Sequence, residues 1–294
     1  MKISIVTLNY NGSKETIELL KSLEDKDQTD SDFEMIVVDN ASKEADFIHI
    51  TTSQVVYPQV KIVRNSENLG FSGGNNVGIR QAILYCADWV VFLNNYTSVG
   101  KGLIEHLKAI LRVKTGVIGI PLMEENHKQI VYCGKIQWLK PTLIHITTCE
   151  VVYPQAYAIG GAVAIHRDVF EKIGFLDEKY FLYFEDADFS IRARKANIPI
   201  SFYYDSLIYH NVSTSTKKLG SALLLRYHYR NALYFNLKNG PWYIKLAIWP
   251  WSWLIAIKQL IKLTINQDIE ESKAILAGVI DFYKNRMGQI NSKL

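Results

Sequence analysis

Short apolar runs alternate with amphipathic stretches over the first hundred residues, and this rhythm limits the possible folds more than any other feature. Runs at residues 3–8, 34–38, 60–63 and 89–93 are four to six residues long and rich in Val and Ile. Continuous runs of this length are typical of strands buried on both faces of a sheet. Helices are predicted at residues 13–23 and 77–86. The pattern predicts a mostly parallel α/β sheet flanked by helices.

Polar side chains follow four of the predicted strands. Asn9, Asp39, Asn68 and Asn94 each lie just past a strand end. Ligands of open parallel sheets bind at the carboxyl ends of the strands, so these residues predict one binding edge. Asp39 has two interpretations: it accepts a hydrogen bond from the imide of a pyrimidine, or it caps a helix, because Asp-Asn-Ala-Ser is good capping chemistry.

A glycine-rich stretch, NLGFSGGNN, spans residues 68–76 and is interpreted as a loop. Glycine permits close backbone approach to a ligand, but a structural strand–helix turn uses the same residues. The spacing matches neither the dinucleotide-binding nor the P-loop pattern.

An acidic turn follows an aromatic run in FLYFEDADFSIR, residues 181–192. Repulsion between clustered carboxylates, together with partial burial, raises a carboxyl pKa toward that of a general base. Acidic residues also favour the first turn of a helix. That second interpretation explains Asp188 well and the pair Glu185-Asp186 less well.

The rest of the main body has weaker signals. Residues 117–165 predict mixed or antiparallel strands, and residues 170–197 predict helices on either side of the acidic turn. Residues 201–209 predict one strand and residues 221–239 a helix.

The cysteines Cys86, Cys133 and Cys149 have no zinc or redox spacing, which favours reduced thiols in a cytosolic protein.

The net positive charge is concentrated near the C-terminus. The chain has 33 basic and 29 acidic residues, and the whole excess of basic over acidic residues lies in residues 238–294. The equal numbers of basic and acidic residues in the rest of the chain argue against nucleic acid as a partner.

Residues 242–263 hold four of the six tryptophans, three lysines and Pro250, which makes a poor spanning helix. They favour an amphipathic element at an anionic membrane surface. The alternative is a helix that packs on the main domain or on a second copy in a homodimer.

Six motifs in order resemble the inverting family 2 glycosyltransferases with the GT-A fold, especially their rhamnosyltransferase-like branch. They are SIVTLNYNG, VVDNAS, N-x-GFSGGNN, FLNN, the run from GGAVAIHRD to RARKAN, and YHNVSTS. The resemblance implies a catalytic domain over 1–240, with a nucleotide-sugar-binding half (1–100) and an acceptor and catalytic half (101–240). Residues 241–294 would be a basic, Trp-rich helical appendage that associates with a membrane or oligomerises.

The resemblance also implies residue roles. Asp186 would be the general base and Glu185 would position it or bind the acceptor, while His210 matches a metal-ligating position. Donor contacts are implied for Thr7, Asn9, Asp39, Asn68, Gly70, Phe71, Gly73, Asn75, Asn94, Asn95, Tyr96, Gly161 and Arg230.

Tyr96 departs from the family pattern, which has an Asp that holds a divalent cation at this position. Mg²⁺ and Mn²⁺ prefer carboxylate oxygen, and a neutral phenol is a poor replacement. Three outcomes stay open. The cation binds weakly through the diphosphate, His210 and water; Arg230 or Lys217 neutralises the leaving group while Tyr96 donates a hydrogen bond; or the chain is catalytically impaired.

The resemblance therefore implies an enzyme that moves a sugar from dTDP-rhamnose or a UDP-sugar to a saccharide or lipid-linked saccharide. It would act in the cytoplasm, peripheral to the inner membrane face, in cell-surface polysaccharide synthesis. The alternative is a non-catalytic sugar-nucleotide-binding homologue that has lost its metal ligand. A sugar nucleotidyltransferase is disfavoured because TLNYNG carries no Arg or Lys.

Overall fold

The computed structural model describes residues 1–23, 32–100, 102–124, 129–148, 155–203, 208–210 and 221–290. The strands are β1 Ile3–Asn9, β2 Phe33–Asp39, β3 Val60–Arg64, β4 Trp89–Leu93, β5 Thr97–Val99, β6 Val117–Gly119, β7 Leu122–Glu124, β8 Gln129–Val131, β9 Cys133–Lys135, β10 Ile144–Ile146, β11 Ala156–Tyr157, β12 Ala162–His166, β13 Ile200–Phe202 and β14 Ile208–His210. The helices are α1 Ser13–Leu23, α2 Glu44–Ser53, α3 Gly70–Leu84, α4 Leu103–Leu111, α5 Arg167–Ile173, α6 Glu185–Lys195, α7 Ser221–Asn239, α8 Trp242–Thr264 and α9 Ile269–Tyr283.

The central sheet has the strand order β13-β6-β12-β4-β1-β2-β3. The neighbours β4, β1, β2 and β3 run parallel, and β12 is antiparallel to both β4 and β6. Successive residues of β1 enter opposite cores, Ile5 on the side of α1 and Val6 on the side of α3. This two-sided burial explains why the strands are continuous apolar runs rather than alternating ones.

The glycine-rich stretch corrects one expectation, because α3 begins at Gly70 rather than near residue 77. The glycines lie where the helix approaches the sheet. A Cβ atom at Gly74 would be 2.4 Å from Leu8 Cδ1, and one at Gly78 would be 2.3 Å from Val6 Cγ1. The missing side chains therefore allow close helix–sheet packing, and the stretch is helix rather than loop.

Helix α2 was not predicted, and its position decides between the two interpretations of Asp39. The helix begins at Glu44 with Lys43 as its N-cap residue, four positions beyond Asp39. The capping interpretation of Asp39 is therefore wrong.

Two small sheets lie beside the central one, in the orders β5-β14-β7-β8 and β10-β9-β11. The mixed strands expected over residues 117–165 are confirmed by β6 to β12. The single strand expected over 201–209 is wrong. Strand β13 extends the central sheet while β14 pairs with β5 and β7, and residues 204–207 between them lie outside the described residues.

The C-terminal helices are anchored to the main body through α7. Phe235 of α7 packs with Phe184 and Ala187 at the start of α6, and it stacks on Trp138. A buried ion pair joins α7 to α9, with Arg226 Nε 2.7 Å from Asp281 Oδ2. Within the described ranges, no helix is both long enough and apolar enough to cross a bilayer.

Candidate active site

A cavity of about 500 Å³ lies beside the carboxyl end of β4. Polar side chains from seven separate parts of the chain line it, and aromatic residues fill much of the remaining wall. Its lining includes Phe71, Asn94, Tyr96, Glu124, His145, Tyr157, Gly160, Gly161, Tyr183, Phe184, Glu185, Asp186, His210 and His228.

Asp186 lies in the first turn of α6 and lines this cavity. Its Oδ1 accepts a hydrogen bond from Ala187 N at 2.7 Å and its Oδ2 accepts one from Gly160 N at 3.1 Å. Burial raises the pKa of the Asp186 carboxyl, and these backbone donors partly oppose the rise. Only the deprotonated carboxylate can accept a proton, so proton transfer to Asp186 is lost as the pH drops through this raised pKa.

Glu185 is more deeply enclosed than its neighbour. It is 5% exposed, and its Oε2 has no hydrogen-bond partner among the described residues. Burial raises the pKa of Glu185 well above its ordinary value, and the charges of Asp186 and Asp188 raise it further. Two backbone donors bond the Asp186 carboxyl, whereas Glu185 Oε2 has no partner among the described residues, so the surroundings of Asp186 favour the carboxylate form more than those of Glu185 do.

Asp188 has a structural role. It is fully buried and bonded to Arg192 Nε at 2.8 Å, Asn239 Nδ2 at 2.7 Å and Lys238 Nζ at 2.7 Å. Asp188 lies in the first turn of α6 as the second interpretation expected, but its partners are side chains of α6 and α7.

The turn before α6 has an unusual backbone. Phe181, Tyr183 and Phe184 have φ values of +62°, +72° and +77°. Such conformations cost about 1–3 kcal/mol each and need support from their surroundings. Asn231 of α7 supplies that support, since its Nδ2 donates to the carbonyl oxygens of Tyr180 at 2.9 Å, Leu182 at 2.7 Å and Tyr183 at 3.2 Å.

Replacing Asn231 by Ala is expected to lower the kcat of a reaction that uses Asp186 about 10- to 100-fold, because a displacement of about 1 Å at a reacting group costs on that order. The affinity for ligands bound away from this turn should change little. Asn236→Ala is the matched control, since Asn236 is buried on the same helix but bonds Leu139 N and Ala232 O. Equal losses of kcat in the two variants, at equal stability by denaturant titration, would contradict a positioning role for Asn231.

The two asparagines that follow β4 have different surroundings. Asn95 Nδ2 donates to Gly12 O at 3.2 Å and to Thr16 Oγ1 at 3.1 Å, so this side chain bonds α1 and does not line the cavity. Asn94 Nδ2 donates to the Tyr96 hydroxyl at 2.8 Å, and the Tyr96 ring meets His210 edge-on at 5.0 Å. Asn94, Tyr96 and His210 therefore form one polar edge of the cavity.

This edge does not fit a preformed divalent-cation site. The donors beside His210 are an amide and a phenol. Glu124 is the cross-strand neighbour of His210, and its Oε1 lies 3.5 Å from His145 Nδ1. Even so, no three His, Cys, Asp or Glu side chains gather as metal ligands within the described ranges. Burial lowers the pKa of His210, against the opposing charge of Glu124.

The predicted nucleoside residues form a buried network at the ends of β1 and β2. Asn9 Nδ2 donates to Asp39 Oδ1 at 3.0 Å, Ser42 Oγ at 2.9 Å and Asp46 Oδ2 at 2.9 Å. Asp39 is fully buried and lies 3.5 Å from Arg64 Nε. The structure thus brings Asn9 and Asp39 together as expected, with their polar atoms bonded to each other and to neighbouring protein groups.

Other predicted donor contacts also lie outside the cavity lining. Asn68 Oδ1 accepts from Asn40 Nδ2 at 2.8 Å and from Gly70 N at 2.9 Å. Thr7 Oγ1 is buried without a partner among the described residues. Gly70, Gly73 and Asn75 belong to α3. Phe71 and Gly161 do line the cavity.

Arg230 corrects an expectation. Its guanidinium donates to Arg286 O at 3.1 Å, to Tyr180 O at 3.4 Å and to Asn231 Oδ1 at 3.0 Å. It is 1% exposed, and burial lowers its pKa to about 10. These contacts place it in the packing of α7 against the turn before α6 and not against a diphosphate. Lys217 and residues 211–215 of the YHNVSTS motif lie outside the described residues.

Several cavity residues were not predicted as site residues. Glu124, His145, Tyr157, Tyr183 and His228 come from β7, β10, β11, the turn before α6, and α7. Tyr183 stacks on His228, with ring centroids 4.1 Å apart and planes 14° apart. Only tertiary packing brings these side chains to one cavity.

Comparison with known proteins shows the family to which this chain belongs. Residues 4–174 match the family described as Glycosyl transferase family 2. A low-salt glycan biosynthesis hexosyltransferase of Haloferax volcanii is 25% identical over 305 aligned residues, covering 98% of this chain and 92% of the relative. An N-acetylglucosaminyl-diphospho-decaprenol L-rhamnosyltransferase of Mycobacterium tuberculosis is 23% identical over 219, covering 64% and 70%. The solved mannosyltransferase of Pyrobaculum calidifontis, in complex with GDP-Man and Mn²⁺, has a TM-score of 0.57 at 15% identity, covering 97% and 88%.

A mostly parallel sheet with a carboxylate pair in a cavity beside its β4 end, together with these likenesses, defines a glycosyltransferase with the GT-A fold. The family match spans more than half of the chain. The chain therefore belongs to glycosyl transferase family 2, and the expected fold and enzyme class are confirmed.

Proposed function

We propose that the protein is an inverting glycosyltransferase that uses Asp186 as its general base. The supporting observation is the Asp186 carboxylate itself, fixed by Gly160 N and Ala187 N at the wall of the cavity, with a raised pKa. In this proposal residues 1–100 hold the nucleotide sugar, residues 101–240 hold the acceptor, and residues 241–294 form an appendage.

The reaction is a direct displacement at the anomeric carbon. An acceptor hydroxyl oxygen forms the new bond to C1 of the donor sugar while its proton passes to an Asp186 oxygen. The bond from C1 to the diphosphate oxygen breaks, and the nucleoside diphosphate leaves with that electron pair. Attack from the side opposite the leaving group inverts C1.

The donor is dTDP-rhamnose or a UDP-sugar in this proposal, and the relative named as a rhamnosyltransferase supports the first choice. The leaving diphosphate would lie along the edge formed by Asn94, Tyr96 and His210. A neutral phenol and a neutral amide stabilise negative charge by hydrogen bonds only. We propose Mg²⁺ or Mn²⁺ as the ion that accompanies the donor, on the support of the solved relative that holds Mn²⁺.

Donor hydrolysis by the full chain tests this function. UDP- and dTDP-sugars are incubated with the protein in MnCl₂ or in EDTA, and release of the nucleoside diphosphate is measured. Turnover of one donor establishes an active enzyme, and its loss in EDTA establishes the cation. Nucleotide binding without turnover of any donor would instead support a non-catalytic sugar-nucleotide-binding homologue.

Replacing Tyr96 by Asp is expected to strengthen nucleoside diphosphate binding in MnCl₂ about tenfold, because the carboxylate adds a ligand that the cation prefers. Tyr96→Phe is the control, since it keeps the ring against His210 and removes only the hydroxyl bonded to Asn94. Calorimetry with and without Mn²⁺ measures both. If Mn²⁺ changes the affinity of neither wild type nor Tyr96→Asp, position 96 is not at a cation site.

We also propose that α8 lies on an anionic membrane surface, which would hold the enzyme peripherally at the inner, cytoplasmic face. One stripe of the helix is exposed and apolar, and its members recur at helical spacing. They are Trp242, Leu246, Trp249, Trp253, Ile257 and Leu260. The helix carries lysines at 245, 258 and 262 and no acidic residue, which suits anionic lipid. A lipid-linked saccharide acceptor is the substrate class that this placement favours.

A further inference from the structure

Two polar atoms in the wall of the cavity are buried without a hydrogen-bond partner among the described residues. They are Glu185 Oε2 and His228 Nδ1. A buried polar atom left unpaired costs about 1–3 kcal/mol, so each such atom calls for an explanation. Two of them in one cavity indicate a ligand that supplies the missing hydrogen bonds.

The position and tautomer of His228 are well defined. Its ring stacks on Tyr183, and its side chain bonds the backbone of Pro141, whose only polar backbone group is the carbonyl oxygen. Nε2 must therefore carry the proton, since Nδ1 has no partner. Burial lowers the pKa of His228 to about 4, so the ring is neutral near pH 7. His228 Nδ1 thus offers a lone pair and no proton.

Glu185 offers the complementary group. Burial and the neighbouring carboxylates raise the pKa of Glu185, and a protonated carboxyl donates a hydrogen bond as well as accepting one. The cavity wall also includes the aromatic residues Tyr157, Tyr183 and Phe184. One hydrogen-bond donor and one acceptor, set in an aromatic wall, match a sugar ring, whose hydroxyls both donate and accept while its C–H faces pack on aromatic rings.

We propose that His228 is a further acceptor-binding residue in this cavity. Its Nδ1 accepts a hydrogen bond from one ring hydroxyl of a saccharide, while Glu185, which the family resemblance already places at the acceptor, bonds another and completes the subsite. This proposal rests on the proposed function.

The test uses His228→Phe, which keeps an aromatic ring for Tyr183 and removes both ring nitrogens, and His228→Asn, which restores an acceptor near the position of Nδ1. Binding of octyl glycosides of glucose, galactose, mannose, rhamnose and N-acetylglucosamine to the full chain is measured by saturation-transfer NMR. UDP or dTDP is present throughout. The dissociation constant of the preferred glycoside should rise about tenfold in His228→Phe and recover in part in His228→Asn. His106→Phe, an exposed histidine change on α4, should leave it unchanged.

Several outcomes would overturn the subsite. They are an unchanged glycoside affinity in His228→Phe, an equal loss of nucleotide affinity, or no glycoside binding to wild-type protein that binds nucleotide. Nucleotide affinity is measured first by calorimetry. Failure of the wild-type chain to bind any nucleotide would refute the proposed function instead, so the two failures are distinguishable.

Discussion

Asp186→Asn should abolish sugar transfer and leave donor binding intact. Removing a general base typically costs about 10²- to 10⁴-fold in rate, and the amide cannot take the acceptor proton. The substitution is nearly isosteric, and an amide oxygen can still accept the bond from Gly160 N or Ala187 N. Initial rates of transfer, together with calorimetry of the nucleoside diphosphate, separate loss of chemistry from loss of binding.

Asp168→Asn is the matched control for this prediction. Asp168 also lies in the first turn of a helix, α5, and its side chain is 74% exposed. It should keep wild-type rates. Near-normal turnover in Asp186→Asn would reject Asp186 as the base, and a wild-type rate that rises as the pH falls would argue against any carboxylate base.

Replacing Leu246 and Trp253 together by Glu should remove binding to anionic vesicles. The two side chains are 64% and 65% exposed and lie two helical turns apart on one face of α8. Each contributes on the order of 1.5–3 kcal/mol when it is buried in an apolar phase, so their combined loss corresponds to at least about a hundredfold in partitioning. Two new carboxylates also repel anionic lipid. Sedimentation with phosphatidylglycerol-containing vesicles measures the effect.

Val55→Glu with Val56→Glu is the control, because these apolar residues just after α2 are 85% and 64% exposed, at least as much as Leu246 and Trp253. That variant should bind vesicles as the wild type does. Wild-type protein that stays in the supernatant but is dimeric by light scattering, and monomeric in the α8 variant, would favour the alternative that α8 joins two copies.

The first four strands could be predicted closely because burial on both faces forces continuous Val and Ile runs, and such runs are visible in the sequence. The start of α3 could not be predicted, because glycine normally signals a loop. At Gly74 and Gly78 the deciding factor is the distance to Leu8 and Val6 on the sheet. Residues 201–209 were likewise predicted as one strand because their sequence shows no break. The structure instead has β13 in the central sheet and β14 in a different sheet.

The polar residues near the site divide in the same way. Glu185, Asp186 and His210 were predicted from motifs, and the structure brings all three to one cavity. Asn9 and Asp39 were predicted as ligand contacts, and the structure shows them bonded to each other in a buried network. Arg230 was predicted at the diphosphate, yet it packs against the turn before α6. A motif predicts that a certain residue type is needed at a position, but it does not predict which group that side chain bonds.

The sequence by itself determined the parallel sheet, the family and the acidic pair, since these depend on local apolar periodicity and on motifs contiguous in the chain. Only the tertiary structure showed how the surroundings of the two carboxyls differ, because the backbone donors of residues 160 and 187 bond Asp186 while Glu185 Oε2 has no partner among the described residues. It alone also brought His228 from α7 to face the cavity beside Tyr183. Hydrogen bonds and burial depend on contacts between residues distant in sequence, and these contacts cannot be predicted from the local periodicity of apolar residues.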